Sequence, residues 1–291
     1  MGSFFDEQWI KHLCDQINMP KEALFDIVET VKSLNDKEEQ FLQDFYEKLI
    51  CPETERAAAG DMQNLVEKDP SYGQKIVSVY LSAAKHTYKR YQEKGISDTV
   101  FYDTMKSFTV YENSYLLEHG VYGFDKPSWA ANHLRMSLYR LGRLVFEQST
   151  FPQDFSDDKT ILHKGDHILM VHIPANEKLD MERCQKAYDM AEEFSERYFG
   201  FQSHAFCCCS WLLHSGLKNL LPAESNIIKF QNEFTLIGEK TDREEVLKWL
   251  FGKKHEQLEE YPAITSLQKN VISYLKTGGE LGTGFGIRKQ H

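Results

Sequence analysis

HILMVHIPANEKLDMERCQKAYDMAEEFSERYF (167–199) is the stretch that decides the fold. Its first seven residues form a short apolar run, and Pro174 closes it because proline offers no N–H to a sheet ladder; this reads as a buried strand. Asp180 then stands where a helix N-cap belongs. Behind it Cys184, Ala187, Ala191, Phe194 and Tyr198 recur at three- and four-residue spacing, the apolar face of a helix. A strand turning into a helix puts this part of the chain in an α/β or mixed layer.

The neighbouring segments agree. LVFEQ (144–148), HAFCCCSWLL (204–213), FTLIG (234–238) and ELGTGFGIRK (280–289) have strand composition. Thr265 and Gln268 form a capping box for a helix through Leu267, Val271 and Leu275, closed by Gly278. FPQDFSDDKT (151–160) is polar and turn-rich, and reads as a linker or exposed loop. The five glycines from Gly278 to Gly286 lack the strand-before, helix-after setting of a nucleotide loop, and suit a turn and a bulged strand.

Upstream of Gly142 the spacing is helical. Ile76, Tyr80, Ala84 and Tyr88 recur every fourth residue, with Val77 and Leu81 beside them. Ser97 is the N-cap of a further helix through Phe101, Met105, Phe108 and Tyr115, ending before Gly120. A third helix is expected from about Ser128 to Leu141 with Gly142 as its cap, and 20–33 and 36–49 are also helical. The expected fold class is α+β: an all-helical domain over 1–142, then a mixed α/β sheet domain over 143–291.

Composition narrows the function classes. The chain has 291 residues, 41% hydrophobic and 27% charged, enough for two packed domains. Its net charge is 34 − 44 = −10, and an acidic surface repels phosphate backbones, so nucleic acid is not an expected partner. MGSFFDEQWIKHLCDQ (1–16) carries acids and no long apolar run, so no signal peptide and no membrane span are expected. Six cysteines with no CxxC pair fit reduced thiols and a cytoplasmic location.

Four features bear on chemistry. His172 sits at the end of a strand, where it can serve as a base or be merely bonded at the sheet rim. Cys207, Cys208 and Cys209 alternate between strand faces, so they are not expected to close one metal site or pair with one another. Cys208 and Ser210 share a face, and either is a nucleophile if a base lies near. Arg135, Arg140 and Arg143 lie around the domain junction, where phosphate contacts and ordinary ion pairs are both open readings.

WAANHLRMSLYRLGRLVFEQ (129–148), MVHIPANEKLDMERCQKAYDMAEEFSERYF (170–199), AFCCCSWLLHSGLKNLLPAESNIIKFQNEFTLI (205–237) and TSLQKNVISYLKTGGELGTGFG (265–286) together resemble a bacterial acyltransferase family. Its members have a helical N-acyltransferase N-terminal domain followed by a GNAT-like C-terminal domain. The resemblance implies a twisted mixed sheet with helices on both faces, binding an acyl thioester where two strands splay apart. It implies transfer of the acyl group to an amine. The donor is acyl-CoA or an acyl carrier, with acyl-CoA the expected cosubstrate, no tightly bound cofactor and no metal.

His172, Cys208, Ser210, Trp211, Asn226 and Gln231 fall on motif positions of the family. In this reading His172 is the general base. Ser210 protonates the leaving thiolate, or Cys208 carries the acyl group. Trp211, Asn226 and Gln231 line the acceptor side. His172 and the segment 208–211 are expected to border one pocket at the domain junction. The sequence departs from ordinary GNAT enzymes in one respect: the turn IPANEKLD (173–180) holds no glycine where they carry Q/R-x-x-G-x-G/A. A non-catalytic protein of the same fold, binding a small ligand or peptide, is the alternative.

Overall fold

The computed structural model describes residues 4–158, 160–175 and 177–288. They divide into two compact units, Met1–Arg140 and Leu141–His291.

The first unit is helical: α1 (Glu7–Gln16), α2 (Lys21–Lys32), α3 (Asp36–Leu49), α4 (Glu55–Lys68), α5 (Gly73–Glu93), α6 (Asp98–His119) and α7 (Pro127–Leu134). α5 forms its centre, and Ile76, Val77, Tyr80, Leu81 and Ala84 are fully buried along the expected stripe. Ser97 caps α6, whose chain leaves through Gly120 in the left-handed region at φ +77°. Buried hydroxyls tie α7 to this centre: Tyr80 donates to the Pro127 carbonyl at 2.8 Å, and Thr87 to that of Leu134 at 3.1 Å.

The helix expected to reach Leu141 stops at Leu134 instead. Met136 takes a positive φ of +61°, which ends the helical path, and Leu138–Leu141 becomes strand β1. All four residues of LYRL are buried, so no alternation marked them as strand. Gly142 is a hairpin residue, not a helix cap. Its φ of +62° lets the chain turn from β1 into β2 (Leu144–Thr150), as tight hairpins require.

The sheet has the order β1-β2-β5-β6-β8-β7, with β5 (His167–His172), β6 (Ala205–Ser210), β7 (Phe234–Thr241) and β8 (Gly282–Arg288). β5 and β6 are parallel, while β2–β5, β6–β8 and β7–β8 are antiparallel. Parallel neighbours need a crossover, and α8 (Met181–Phe199), capped by Asp180, supplies it. Tyr188 of α8 packs on Phe146 and Phe206, which assigns that sheet face to the helix. The other face buries Ile168, Cys207 and Ile287 against Phe151 and Leu162. Segment 151–160 is therefore not a free linker. Phe151 is 1% exposed, and β3 (Phe155–Ser156) pairs with β4 (Ile161–Leu162) in a small hairpin over the sheet.

A second core gathers Leu217, Ile228, Val246, Leu247, Val271 and Leu281. It joins α9 (Asn226–Asn232), α10 (Arg243–Phe251) and α11 (Ser266–Lys276). The bulge lies in β7, between Leu236 and Gly238, and not in the glycine-rich β8. β8 needs glycine for close approach: a Cβ on Gly284 would lie 2.8 Å from the Leu213 carbonyl, and one on Gly282 would overlap the Lys240 carbonyl. Gly282→Ala is accordingly expected to cost about 1–3 kcal/mol, read as a lower Tm. An unchanged Tm would show that β7 moves aside at no cost. Among the described residues no helix is long and apolar enough to cross a membrane.

Candidate functional site

The site begins with the two central strands. β5 and β6 are in register from Ile168↔Ala205 to Met170↔Cys207. Beyond that point β5 remains paired with β2 as far as His172↔Val145, and β6 with β8 as far as Ser210↔Gly284. The ladder between β5 and β6 thus ends before either strand does. The backbone edges of Val171–His172 and Cys208–Ser210 are not paired with each other, which leaves a gap in the ladder at the C-terminal ends of the parallel pair. Openings of this kind are where α/β sheets take ligands.

His172 stands at this opening, and its Nε2 is 2.9 Å from Oε2 of Glu147. The two side chains are 29% and 27% exposed, wet enough to be reached and dry enough for the pair to matter. The strands fix this geometry. Glu147 is opposite Met170, so His172 lies two positions along on the same face, within diagonal reach.

The register does not bring His172 together with Cys208 and Ser210. Met170↔Cys207 puts His172 on the face of Cys207 and Cys209, while Cys208 and Ser210 point toward α8. The expected shared pocket is corrected by this parity. Cys208 is also fully buried, and burial together with its cysteine neighbours pushes its thiol far up, so it holds no accessible thiolate. Burial likewise pushes the Cys207 thiol to about 12. Cys209 is the exposed thiol of the triplet. All three are free cysteines, and among the described residues no group of His, Cys, Asp or Glu is placed to hold a metal ion. The Ser210 hydroxyl oxygen accepts the Leu212 N–H at 3.2 Å, capping the short 3-10 turn Trp211–Leu213.

Trp211, Asn226 and Gln231 do not form one wall. Trp211 packs against the second core. Asn226 is exposed at the first position of α9, and Gln231, five residues on and hence about 140° around the helix, is buried. Gln231 Nε2 donates to the His214 carbonyl at 2.8 Å, which pins the chain after β6. Its Oε1 has no hydrogen-bond partner, and the residue borders a cavity of about 40 Å³ with Leu213, Ser215 and Lys218.

Two residues of this region were not singled out for these roles. Glu147 was legible as an acid inside the apolar strand LVFEQ, a position that calls for a partner. Arg143 is 1% exposed and donates to the Glu177 and Lys178 carbonyls, both at 2.8 Å. These bonds to backbone carbonyls fix the turn before α8 that carries no glycine.

Residues 138–288 match the family described as the GNAT-like C-terminal domain, and residues 9–136 match the N-acyltransferase N-terminal domain. No curated protein matches the chain. Among solved structures, an acyltransferase in complex with decanoyl-CoA and teicoplanin superposes with a TM-score of 0.78 at 22% identity, over 96% of this chain and 87% of that one. An acyltransferase mutant in complex with octanoyl-CoA gives 0.78 at 22% identity, over 98% and 88%. At that identity the likeness establishes the fold.

Proposed function

The chain belongs to the GNAT-like C-terminal domain family, and on that premise we propose that it is an acyltransferase taking its acyl group from acyl-CoA and passing it to an amine. The observation that carries this reading is the opening between β5 and β6 beyond Met170 and Cys207, with an imidazole at its rim. Backbone groups released from the ladder there can hydrogen-bond the extended amide-bearing arm of CoA, as a further strand would.

The chemistry balances without a covalent enzyme intermediate. The acceptor nitrogen attacks the thioester carbonyl carbon, and its proton passes to the imidazole of His172. The tetrahedral intermediate collapses, the C–S bond breaks and an amide is left. The imidazolium returns its proton to the CoA thiolate. Ser210 points toward α8, on the face opposite the imidazole, and is given no proton to move. Cys208 has no part in this scheme.

The similar structures hold decanoyl- and octanoyl-CoA, which makes medium-chain donors the first to try. The protein, incubated with a panel of acyl-CoAs and amines, is expected to release free CoA thiol in equal amount to the amide, both followed by mass spectrometry. Binding of acyl-CoA with no thiol released under any acceptor would replace this reading with that of a non-catalytic ligand-binding protein.

A further inference from the structure

The Glu147–His172 pair sits on two hydrogen-bonded strands, with Val145↔His172 and Glu147↔Met170 in the same regular ladder. The partners are therefore held by backbone pairing and not by a loop. An ionised carboxylate can only accept, so at 2.9 Å it selects the imidazole tautomer that carries the proton on Nε2. The neutral ring then has its basic lone pair on Nδ1.

We propose that Glu147 is a positioning residue of the acyl transfer: it holds His172 in the Nε2–H tautomer, so that Nδ1 is the atom that takes the proton of the acceptor amine. This inference rests on the reading of the protein as an acyltransferase. When Nδ1 is protonated, Glu147 faces an imidazolium, and the carboxylate stabilises the charge that forms as the C–N bond forms. Glu147 gives up no proton and touches neither substrate. The same pair also has a plain structural use as an ion pair at a sheet rim, and the two roles differ in what they change.

Glu147→Gln separates them. A carboxamide can turn its N–H toward Nε2 and so favour the Nδ1–H tautomer, which has no lone pair where the base needs one. The expected result is a fall in kcat of about 10²-fold or more, with KM for acyl-CoA little changed. Nitrogen NMR of labelled imidazole is expected to show the proton on Nε2 in the wild type and on Nδ1 in the variant. Glu147→Asp keeps a carboxylate acceptor and is expected to recover part of the rate and the wild-type tautomer.

An unchanged kcat in Glu147→Gln overturns the inference, as does a wild-type ring protonated on Nδ1. The second measurement stands even if the glutamine variant does not fold. The two levels fail differently. A wild type that binds acyl-CoA but releases no thiol removes the acyl-transfer reading and this role together. A wrong tautomer in an active wild type removes this role alone.

Discussion

Replacing His172 with alanine is expected to lower kcat for acyl transfer by about 10²–10⁴-fold while acyl-CoA binding is kept. The size follows from what is removed. An amine about to attack must lose a proton as its nitrogen becomes positive, and without a positioned base that proton goes to water. Binding should survive because the imidazole sits at the strand end, part-exposed beside the Glu147 carboxylate. Acyl-CoA affinity measured by calorimetry, beside single-turnover rates, reads the two quantities separately. A variant that turns over within a few-fold of wild type, or one that loses its folded state with normal turnover per folded molecule, would make His172 a packing residue.

Cys208→Ser is the useful contrast. Cys208 is fully buried on the opposite face from His172, so turnover should be nearly unchanged while stability falls, because a hydroxyl replaces a thiol in an apolar site. A loss of turnover as deep as that of His172→Ala, at unchanged stability, would restore the two-step scheme through Cys208.

The contrast shows how much of the site the sequence could hold. His172 was legible, because Pro174 stops the strand right after it and leaves the ring near the rim. Its relation to Cys208 was not. Residues 168–172 and 205–210 each alternate faces, but which residue of one lies opposite which of the other is set by the register, and a one-residue slip would have put His172 with Cys208. The fold divides in the same way. The α5 stripe and the β5–α8 unit carry strong periodicity and stand where the pattern put them. β1 has no alternation because all four of its residues are buried, and the β3–β4 hairpin was hidden in polar residues, with Phe151, Phe155 and Leu162 supplying its apolar contacts to the sheet among the described residues.

A different signal was silent altogether: nothing in VYENSY (110–115) marks Glu112 as buried. It is fully buried on α6, its Oε2 accepting Nε2 of Gln74 from α5 at 3.2 Å. Glu112 Oε1 and Gln74 Oε1 both lack a hydrogen-bond partner, two acceptors with no proton between them. Burial pushes the Glu112 carboxyl up to about 8; the bond from Gln74 and the nearby Gly123 amide work against this, and the charge of Asp26 works with it. An unfolded glutamate titrates near 4.3, so between that value and about 8 the folded state binds the extra proton. Stability contributed by this group is whole below that window and falls as pH rises through it, by at most about 1.4 kcal/mol per pH unit. At pH 7 the group then costs roughly 3 kcal/mol. Glu112→Gln removes the titration and supplies the missing proton, since its amide can donate to Gln74 Oε1. The variant is expected to melt several degrees higher at pH 7 and to lose most of the decline in Tm between pH 5 and pH 8. The same slope in both proteins, or a lower Tm for the variant at pH 7, would mean that Glu112 is charged in the folded helical unit and that its second oxygen is satisfied in solution.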